Sequence, residues 1–354
     1  MKKKEAKEYI KEALALKLSL TGYEKELGGA YTHNDHLIHF PKKLYKYRSF
    51  DQFTEDMIEN NYLYLCQAEQ LDDQFECAAN FSYDKIFKND GVIRKAVVDE
   101  IVEMISDFPS TLNKQEYKHL ILKCLDKNNN FDIKRISALA SENQEGLSEQ
   151  DAIVILENFG AILSGMWKSE NNIKEFKDVA LKALNARKEI GICSLSETNR
   201  SQVMWEMYAH SYEGYCIEYS SLSSIDFQLN TFPVIYGNKR ETKIINILVG
   251  TFLEGFVAML SKGVINKIER GLDYIYLFLT KFNEWSFQKE WRIIGEANYK
   301  FPSPKISAIY VGKRCSDDNL KMILSMSKKY SFDVYRQKDN IENLSLEFEK
   351  INKI

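Results

Sequence analysis

The chain has 354 residues, a formal net charge of −3 at pH 7, 44% hydrophobic residues and 12% aromatic residues. This composition excludes a disordered chain and is sufficient for a packed core. The near-neutral balance gives no global basic field that would attract nucleic acid. The length accommodates two domains, or one core with large insertions.

The sequence does not indicate a membrane or secreted protein. The most apolar segments, residues 245–264 and 272–282, carry charged residues and fall short of a membrane span. The basic residues 2–4 are followed by amphipathic sequence, which is not typical of a secretory signal. We therefore expect a soluble, cytoplasmic protein with no membrane partner.

The cysteines and histidines do not form a recognisable site. Six cysteines are scattered without a C-x-x-C pair, so free thiols are expected. His33, His36 and His39 recur every three residues, but the polar residues among them and Pro41 indicate a loop. We predict no metal site.

The predicted elements begin with a core that a helical block interrupts. Residues 1–40 form an N-terminal helix and loop, with one apolar stripe along the helix at 2–20. Residues 41–83 start the core with a strand over 44–50, a helix over 52–59 capped by Asp51, and a strand over 62–65. Residues 84–188 show apolar residues at helical spacing, which predicts a helical insertion.

The core resumes at residues 189–239, with strands over 191–195, 215–219 and 233–236. Between the first two lies a helix over 202–210, whose predicted inner face is Val203, Met204, Met207 and Tyr208. Residues 240–282 form a second helical insertion. The pattern predicts an α+β fold with a mixed sheet.

Residues 283–354 complete this predicted core. They contain a strand over 285–294, a proline-marked turn over 301–304, a strand over 306–311, a helix over 318–329 and a strand at Val334. Trp291 and Ile293 fall on one face of the first strand, and Glu290 and Arg292 on the other.

Four of the candidate site residues also have simple structural explanations. Arg48 is either an exposed charge at a strand end or a planar anion holder for a diphosphate or ribose. Ser194 and Ser196 share a strand face, which is a weak signal alone. Tyr208 either packs in the core or stacks on a flat heterocycle.

Gln288 and Glu290 form a Q-x-E pattern on one predicted strand face. Charges on a half-exposed strand are usually solvated. Alternatively, the carboxylate can stabilise an oxocarbenium-like transition state while the amide orients a nucleophile. The chain has no G-x-G-x-x-G, P-loop or G-x-S-x-G motif, so dehydrogenase, kinase and α/β-hydrolase functions lack their signatures.

Several short words of the sequence resemble a widespread bacterial family known as a domain of unknown function. The words are LYKYR at 44–48, LDDQFE at 71–76, MWEMYA at 204–209, GYC at 214–216 and KEWR at 289–292. This resemblance spans about residues 44–312 and implies no activity.

The element order is also similar to that of the ADP-ribosyltransferase superfamily. Its members have a strand ending in arginine or histidine, a helix and a strand. Next come a glycine-led strand that ends in serine or alanine and a helix that often carries a tyrosine. Another glycine-led strand and a strand with the catalytic glutamate complete the order. The chain matches this order at Arg48, 191–196, Tyr208, 214–219, and at Gln288 with Glu290.

This resemblance implies a split mixed sheet that binds NAD as substrate. It assigns Glu290 to the loss of nicotinamide, Gln288 to orienting the acceptor, and a set of residues to holding NAD: Arg48, Tyr47, Ser194, Ser196 and Tyr208. The serine motif lacks the usual middle threonine, and the two insertions exceed a minimal core, so the acceptor stays open.

The resemblance leads to a mono-ADP-ribosyltransferase that modifies a protein or nucleic acid, in the role of a toxin or phage-defence effector. An antitoxin or another partner protein would bind the helical insertions. Two alternatives stay open. One is a non-catalytic module that binds protein or nucleic acid, and the other is an NAD or nucleotide hydrolase.

Overall fold

The computed structural model describes residues 3–20, 40–71, 187–238, 275–340, 342 and 345–351, and isolated helical positions between residues 95 and 178. The chain divides into two compact units. The first consists of Met1–Ala79, Lys188–Arg240 and Ile275–Ile354, and the second of Asn80–Arg187 and Glu241–Tyr274. Most of the predicted insertions at 84–188 and 240–282 lie outside the described residues.

The first unit has an α+β fold. Its helices include α1 (Lys3–Leu20), α2 (Thr54–Glu59), α3 (Gln202–Tyr208), α4 (Ile225–Asn230) and α5 (Asp317–Tyr330). The strands in the first part of the chain are β1 (Lys43–Arg48), β2 (Tyr62–Gln67), β3 (Ile190–Ser196), β4 (Tyr215–Ser220), β5 (Thr231–Pro233) and β6 (Ile235–Gly237). Those that follow are β7 (Thr280–Phe282), β8 (Glu290–Glu296), β9 (Tyr299–Pro302), β10 (Ile306–Val311), β11 (Asp333–Asn340) and β12 (Ser345–Lys350).

Side-chain caps set the beginnings of several helices. Ser201, Ser224 and Ser316 each accept a hydrogen bond from a backbone N–H in the first turn of α3, α4 and α5. Asp51 accepts from the backbone N–H of Phe53 at 2.9 Å. The helix predicted to start at residue 52 therefore begins two residues later, at Thr54.

The main sheet is mixed. Its strands follow the order β12-β11-β10-β4-β1-β3-β2-β9, and β8 joins β3 to β5. Only the β10–β11 pair of this sheet is parallel among the pairs that the structure describes. A second, two-stranded sheet pairs β6 with β7 in parallel.

The sheet opens where β1 and β2 share one edge of β3. The beginning of β3 pairs with β2 at Gly191 and Ile192, whereas Ser196 at its end pairs with Tyr45 of β1. The opposite edge of β3 is paired with β8 from Ile190 to Ser196. A gap between β1 and β2 thus lies beside the middle of β3.

The two faces of the sheet are covered by different elements. On one face, α3 inserts Trp205 against Tyr47, with ring centroids 5.4 Å apart at 83°. On the other, Tyr9 of α1 and Phe40 both meet Trp291 edge to face, at 5.3 Å. These aromatic contacts bury Tyr47 of β1 on one face and Trp291 of β8 on the other.

The predicted inner face of the helix at 202–210 is partly wrong. Val203 is 44% exposed and Met207 is 51% exposed, whereas Met204 and Trp205 are buried. The helix ends at Tyr208, and its two turns rest on the sheet along the line of Met204 and Trp205. A helix this short buries a narrow stripe, so the wider stripe that was expected does not form.

Two other predicted elements differ in kind. The segment at 301–304 was expected to be a turn, but its first two residues are the end of β9, which pairs with β2. Because β9 is an edge strand, it can contain Pro302. Residues 233–236 form parts of two short strands rather than one. The sequence interpretation also missed α4 and β12.

Three further observations concern the described residues alone. None of their helices is long and apolar enough to span a membrane. Within the same ranges, no group of three or more His, Cys, Asp or Glu side chains is placed to hold a metal ion. The cysteines that the structure describes are free thiols, at positions Cys66, Cys193, Cys216 and Cys315.

Candidate functional site

A cavity of about 160 Å³ lies where β1 and β2 diverge along β3. An engineered protein cavity of about 150 Å³ holds benzene, so this space can hold one ring-sized group. Its walls come from β1, β3, α3, the start of β8 and the segment after β2. The lining residues are Tyr45, Lys46, Tyr47, Gln70, Leu71, Ser194, Leu195, Ser196, Met204, Tyr208, Lys281, Gln288 and Glu290.

The cavity brings together six of the seven residues chosen from the sequence. Those that line it are Tyr47, Ser194, Ser196, Tyr208, Gln288 and Glu290. They come from three separate parts of the chain, and the pairing of β1, β3 and β8 aligns them. Tyr45, Ser196 and Glu290 are direct cross-strand partners and therefore share one sheet face.

Arg48 is not among the residues that line the cavity. Its Nη2 atom donates to Asp51 Oδ2 at 3.0 Å. Arg48 lies three positions after Tyr45 on the same strand, so it points to the opposite sheet face from Tyr45 and Glu290. The structure does not bring Arg48 together with the other predicted residues.

Glu290 is a buried carboxylate held by two buried cations. Its side chain and those of Lys281 and Arg292 are 3%, 5% and 0% exposed. Arg292 donates from Nε to Oε1 at 2.7 Å and from Nη2 to Oε2 at 3.2 Å. Lys281 Nζ donates to Oε2 at 3.0 Å. Burial of these charges is tolerated because each is paired.

Gln288 links the carboxylate cluster to α3. Its Oε1 accepts from Lys281 Nζ at 2.7 Å, and its Nε2 donates to the Tyr208 hydroxyl at 2.7 Å. The backbone carbonyl of Gln288 accepts from Ser196 Oγ at 2.7 Å. Ser196 therefore contributes to holding Gln288 in place at the end of β3.

The expected strand over 285–294 is wrong in its first part. Asn283–Gln288 is a 3₁₀ helix, Lys289 follows with φ of 44°, and β8 begins at Glu290. Gln288 and Glu290 are thus not on one strand face, and a left-handed turn brings both to the cavity. Lys281 Nζ lies 5.0 Å from the centre of the Trp285 ring, a contact that favours this turn over an extended chain.

The tyrosines around the cavity serve as neutral hydroxyls. Burial and then the charge of Glu218 raise the pKa of Tyr45, and burial is the main cause that raises the pKa of Tyr47. Tyr236, whose hydroxyl accepts from the Glu290 backbone N–H at 2.9 Å, has a pKa raised by burial and then by the Glu290 charge. None of the three is a base near neutral pH.

The sequence interpretation missed two lysines of the site, Lys46 and Lys281. Lys46 Nζ donates to the Ser194 carbonyl at 2.8 Å across the gap between β1 and β3. In the sequence, only its position in the LYKYR segment, next to Tyr47 and Arg48, pointed to Lys46 as a site residue. The residues around Lys281 in the sequence do not indicate that it is buried. Its burial depends on hydrogen bonds to Gln288 and Glu290, which only the folded chain brings within reach of it.

A family model described as "Protein of unknown function (DUF2971)" matches residues 204–293. The resemblance to a family of unknown function is confirmed over this stretch, which includes Tyr208, Lys281, Gln288 and Glu290 of the cavity wall. Comparisons with curated proteins and with solved structures find no match.

Proposed function

We propose that the cavity binds NAD and that the protein is a mono-ADP-ribosyltransferase acting on a protein or nucleic acid. The observation that carries the proposal is convergence. Six of the seven residues predicted for this chemistry, from separate parts of the sequence, line one cavity, and Arg48 is the exception. The opening of the sheet at this point is compatible with the split sheet of that superfamily.

Each residue has a role in this proposal. The Tyr208 ring stacks on nicotinamide, a group whose size suits a cavity of about 160 Å³. The bond from nicotinamide to the ribose C1′ breaks, and nicotinamide leaves with the bonding electrons. Glu290 stabilises the positive charge that develops on the ribose. Gln288 orients the acceptor, which bonds to C1′ and gives up a proton.

Lys281 and Arg292 supply preorganisation to the Glu290 carboxylate. Three hydrogen bonds fix both of its oxygens before any ligand arrives. A fixed carboxylate needs no reorganisation as charge develops, which is the main source of electrostatic catalysis. In this role Lys281 and Arg292 are positioning residues, since they act on the substrate through Glu290.

The same contacts favour a second function, a non-catalytic module that binds protein or nucleic acid. Two cations already share the charge of Glu290, so less of that charge is available to a ribosyl cation. In this case the cluster would be a structural part of a binding site. An NAD hydrolase would use the same cavity with water as the acceptor.

Labelled NAD distinguishes these functions. The protein is incubated with a cell lysate and NAD that carries one label on the adenylate phosphate and another on nicotinamide. We expect transfer of the phosphate label to macromolecules by the wild type and by the Glu218→Gln control, and not by Glu290→Gln. Each variant is assayed at a temperature where its melting curve shows it folded.

The other outcomes are equally informative. Release of nicotinamide without transfer identifies a hydrolase. Binding of NAD without turnover, measured by calorimetry, supports a nucleotide site and contradicts the transferase. Absence of both binding and turnover contradicts an NAD site and favours the interaction module. Transfer activity would be consistent with a toxin or phage-defence role. It would also be consistent with a partner protein that binds the insertions over 84–188 and 240–282.

A further inference from the structure

Lys46 has hydrogen-bonding capacity at the cavity that its protein contacts do not use. An ammonium group has three N–H donors. In the part of the chain that the structure describes, Lys46 Nζ has one hydrogen-bond acceptor, the Ser194 carbonyl at 2.8 Å, and no carboxylate within ion-pair distance. That one bond joins β1 to β3 beside the gap between β1 and β2 and holds the ammonium at the cavity wall.

The remaining charges of the cavity also favour an anion. Lys281 and Glu290 are the other charged residues among those that line it, and they pair with each other. Among the described residues that line the cavity, Lys46 and Lys281 are positive and Glu290 is negative. This local excess of positive charge attracts an anionic group.

We propose that Lys46, and not Arg48, binds the anionic part of the ligand, and that this part is a diphosphate. This inference rests on the proposed nucleotide site and names the group it recognises. Arg48 is engaged with Asp51 and does not line the cavity, whereas Lys46 lines it and donates to the Ser194 carbonyl. Three tyrosines, Tyr45, Tyr47 and Tyr208, give the aromatic wall for a ring, and the ammonium at the gap meets the phosphates that extend from it.

The test compares binding of ADP and adenosine, which differ by the diphosphate alone. For the wild type we expect ADP to bind about tenfold more tightly than adenosine, as measured by calorimetry. Lys46→Gln should abolish this preference, and Lys46→Arg should keep most of it. Lys42→Gln, which removes an exposed lysine just before the same strand, should keep it fully.

The melting temperature of Lys46→Gln is measured before its binding, because the variant loses the bond to the Ser194 carbonyl. A second measurement uses the wild type alone. Added salt should weaken ADP binding and leave adenosine binding unchanged. An ADP preference that survives in folded Lys46→Gln, or that does not respond to salt, overturns the assignment, as does failure of the wild type to bind ADP.

The outcome is separable from that of the proposed function. If Lys46 sets the ADP preference but NAD is not turned over, the diphosphate site stands and the transferase fails. If NAD is turned over and Lys46→Gln binds ADP as the wild type does, the transferase stands and the role of Lys46 fails.

Discussion

Two glutamates, Glu218 and Glu290, are buried on the same face of one sheet, at 3% and 4% exposure. Glu218 accepts hydrogen bonds from neutral hydroxyls and pairs with Lys43, whose side chain is 56% exposed. The hydroxyl donors are Tyr45 at 3.1 Å, Tyr310 at 2.8 Å and Ser307 at 2.9 Å.

The protein stabilises the negative charge of Glu290 in a different way. Its partners, Lys281 and Arg292, are cations that are themselves buried. Glu290 lines the cavity, whereas Glu218 does not. Burial of a carboxylate alone therefore does not indicate a ligand site. Placement at a cavity and pairing with buried cations distinguish Glu290 from Glu218.

The largest expected difference is in stability. Glu290→Gln leaves Arg292 and Lys281 buried without a counter-charge and should lower the free energy of unfolding by about 3–5 kcal/mol. Glu218→Gln should cost about 1–3 kcal/mol, because exposed Lys43 can turn to water. Urea denaturation measures both. A larger loss for Glu218→Gln would contradict this account of the two sites.

The pairing of β3 with β8, the strand that carries Glu290, can be tested with two paired glycines. Gly191 of β3 lies opposite Gly295 of β8. A Cβ on Gly191 would lie 2.3 Å from the Glu296 carbonyl oxygen, whereas a Cβ on Gly295 meets nothing closer than the Leu65 side chain at 3.7 Å. Gly191→Ala should therefore destabilise by about 1–3 kcal/mol, and Gly295→Ala by clearly less. Similar melting temperatures for the two variants would mean that the strands adjust freely.

Removing one hydroxyl from each site gives a smaller effect. Tyr208→Phe takes away the partner of Gln288 Nε2, and Tyr310→Phe takes away a donor to Glu218. Each should cost about 1 kcal/mol of stability. Only Tyr208→Phe should also slow NAD turnover, by about fivefold, since Gln288 loses its orientation. Equal turnover in the two variants would argue against a role for Gln288.

The smallest effect is a pH dependence at Glu218. Burial alone raises its pKa, but hydrogen bonds from Lys43, Tyr310 and Ser307 outweigh burial and hold the pKa below its ordinary value. Because the folded pKa is lowered, ionised Glu218 stabilises the fold above the unfolded pKa of about 4.3, and this is lost as the pH falls through the folded pKa.

Chemical denaturation at several pH values measures this loss. The difference in free energy of unfolding between wild type and Glu218→Gln should shrink as the pH falls below about 4. A difference that stays constant through this range would show that the carboxylate is not stabilised by its partners.

The sequence predicted the local elements better than the positions of charges. The strand predicted at 306–311 coincides with β10, because a short, mostly apolar run ends at Gly312. The strand predicted at 285–294 was wrong in its first part, because aromatic residues favour strands in general and the contact of Trp285 with Lys281 is not visible locally. Long-range pairing, here between β1 and β3, decides that Lys46 and not Arg48 reaches the cavity.

The most direct test of the cavity as a nucleotide site is a crystal structure of the protein with ADP-ribose, the part of NAD that remains after nicotinamide leaves. The account predicts a phosphate oxygen within about 3 Å of Lys46 Nζ and the terminal ribose next to Glu290. Density for ADP-ribose at another place, or an empty cavity at a saturating concentration, would contradict it.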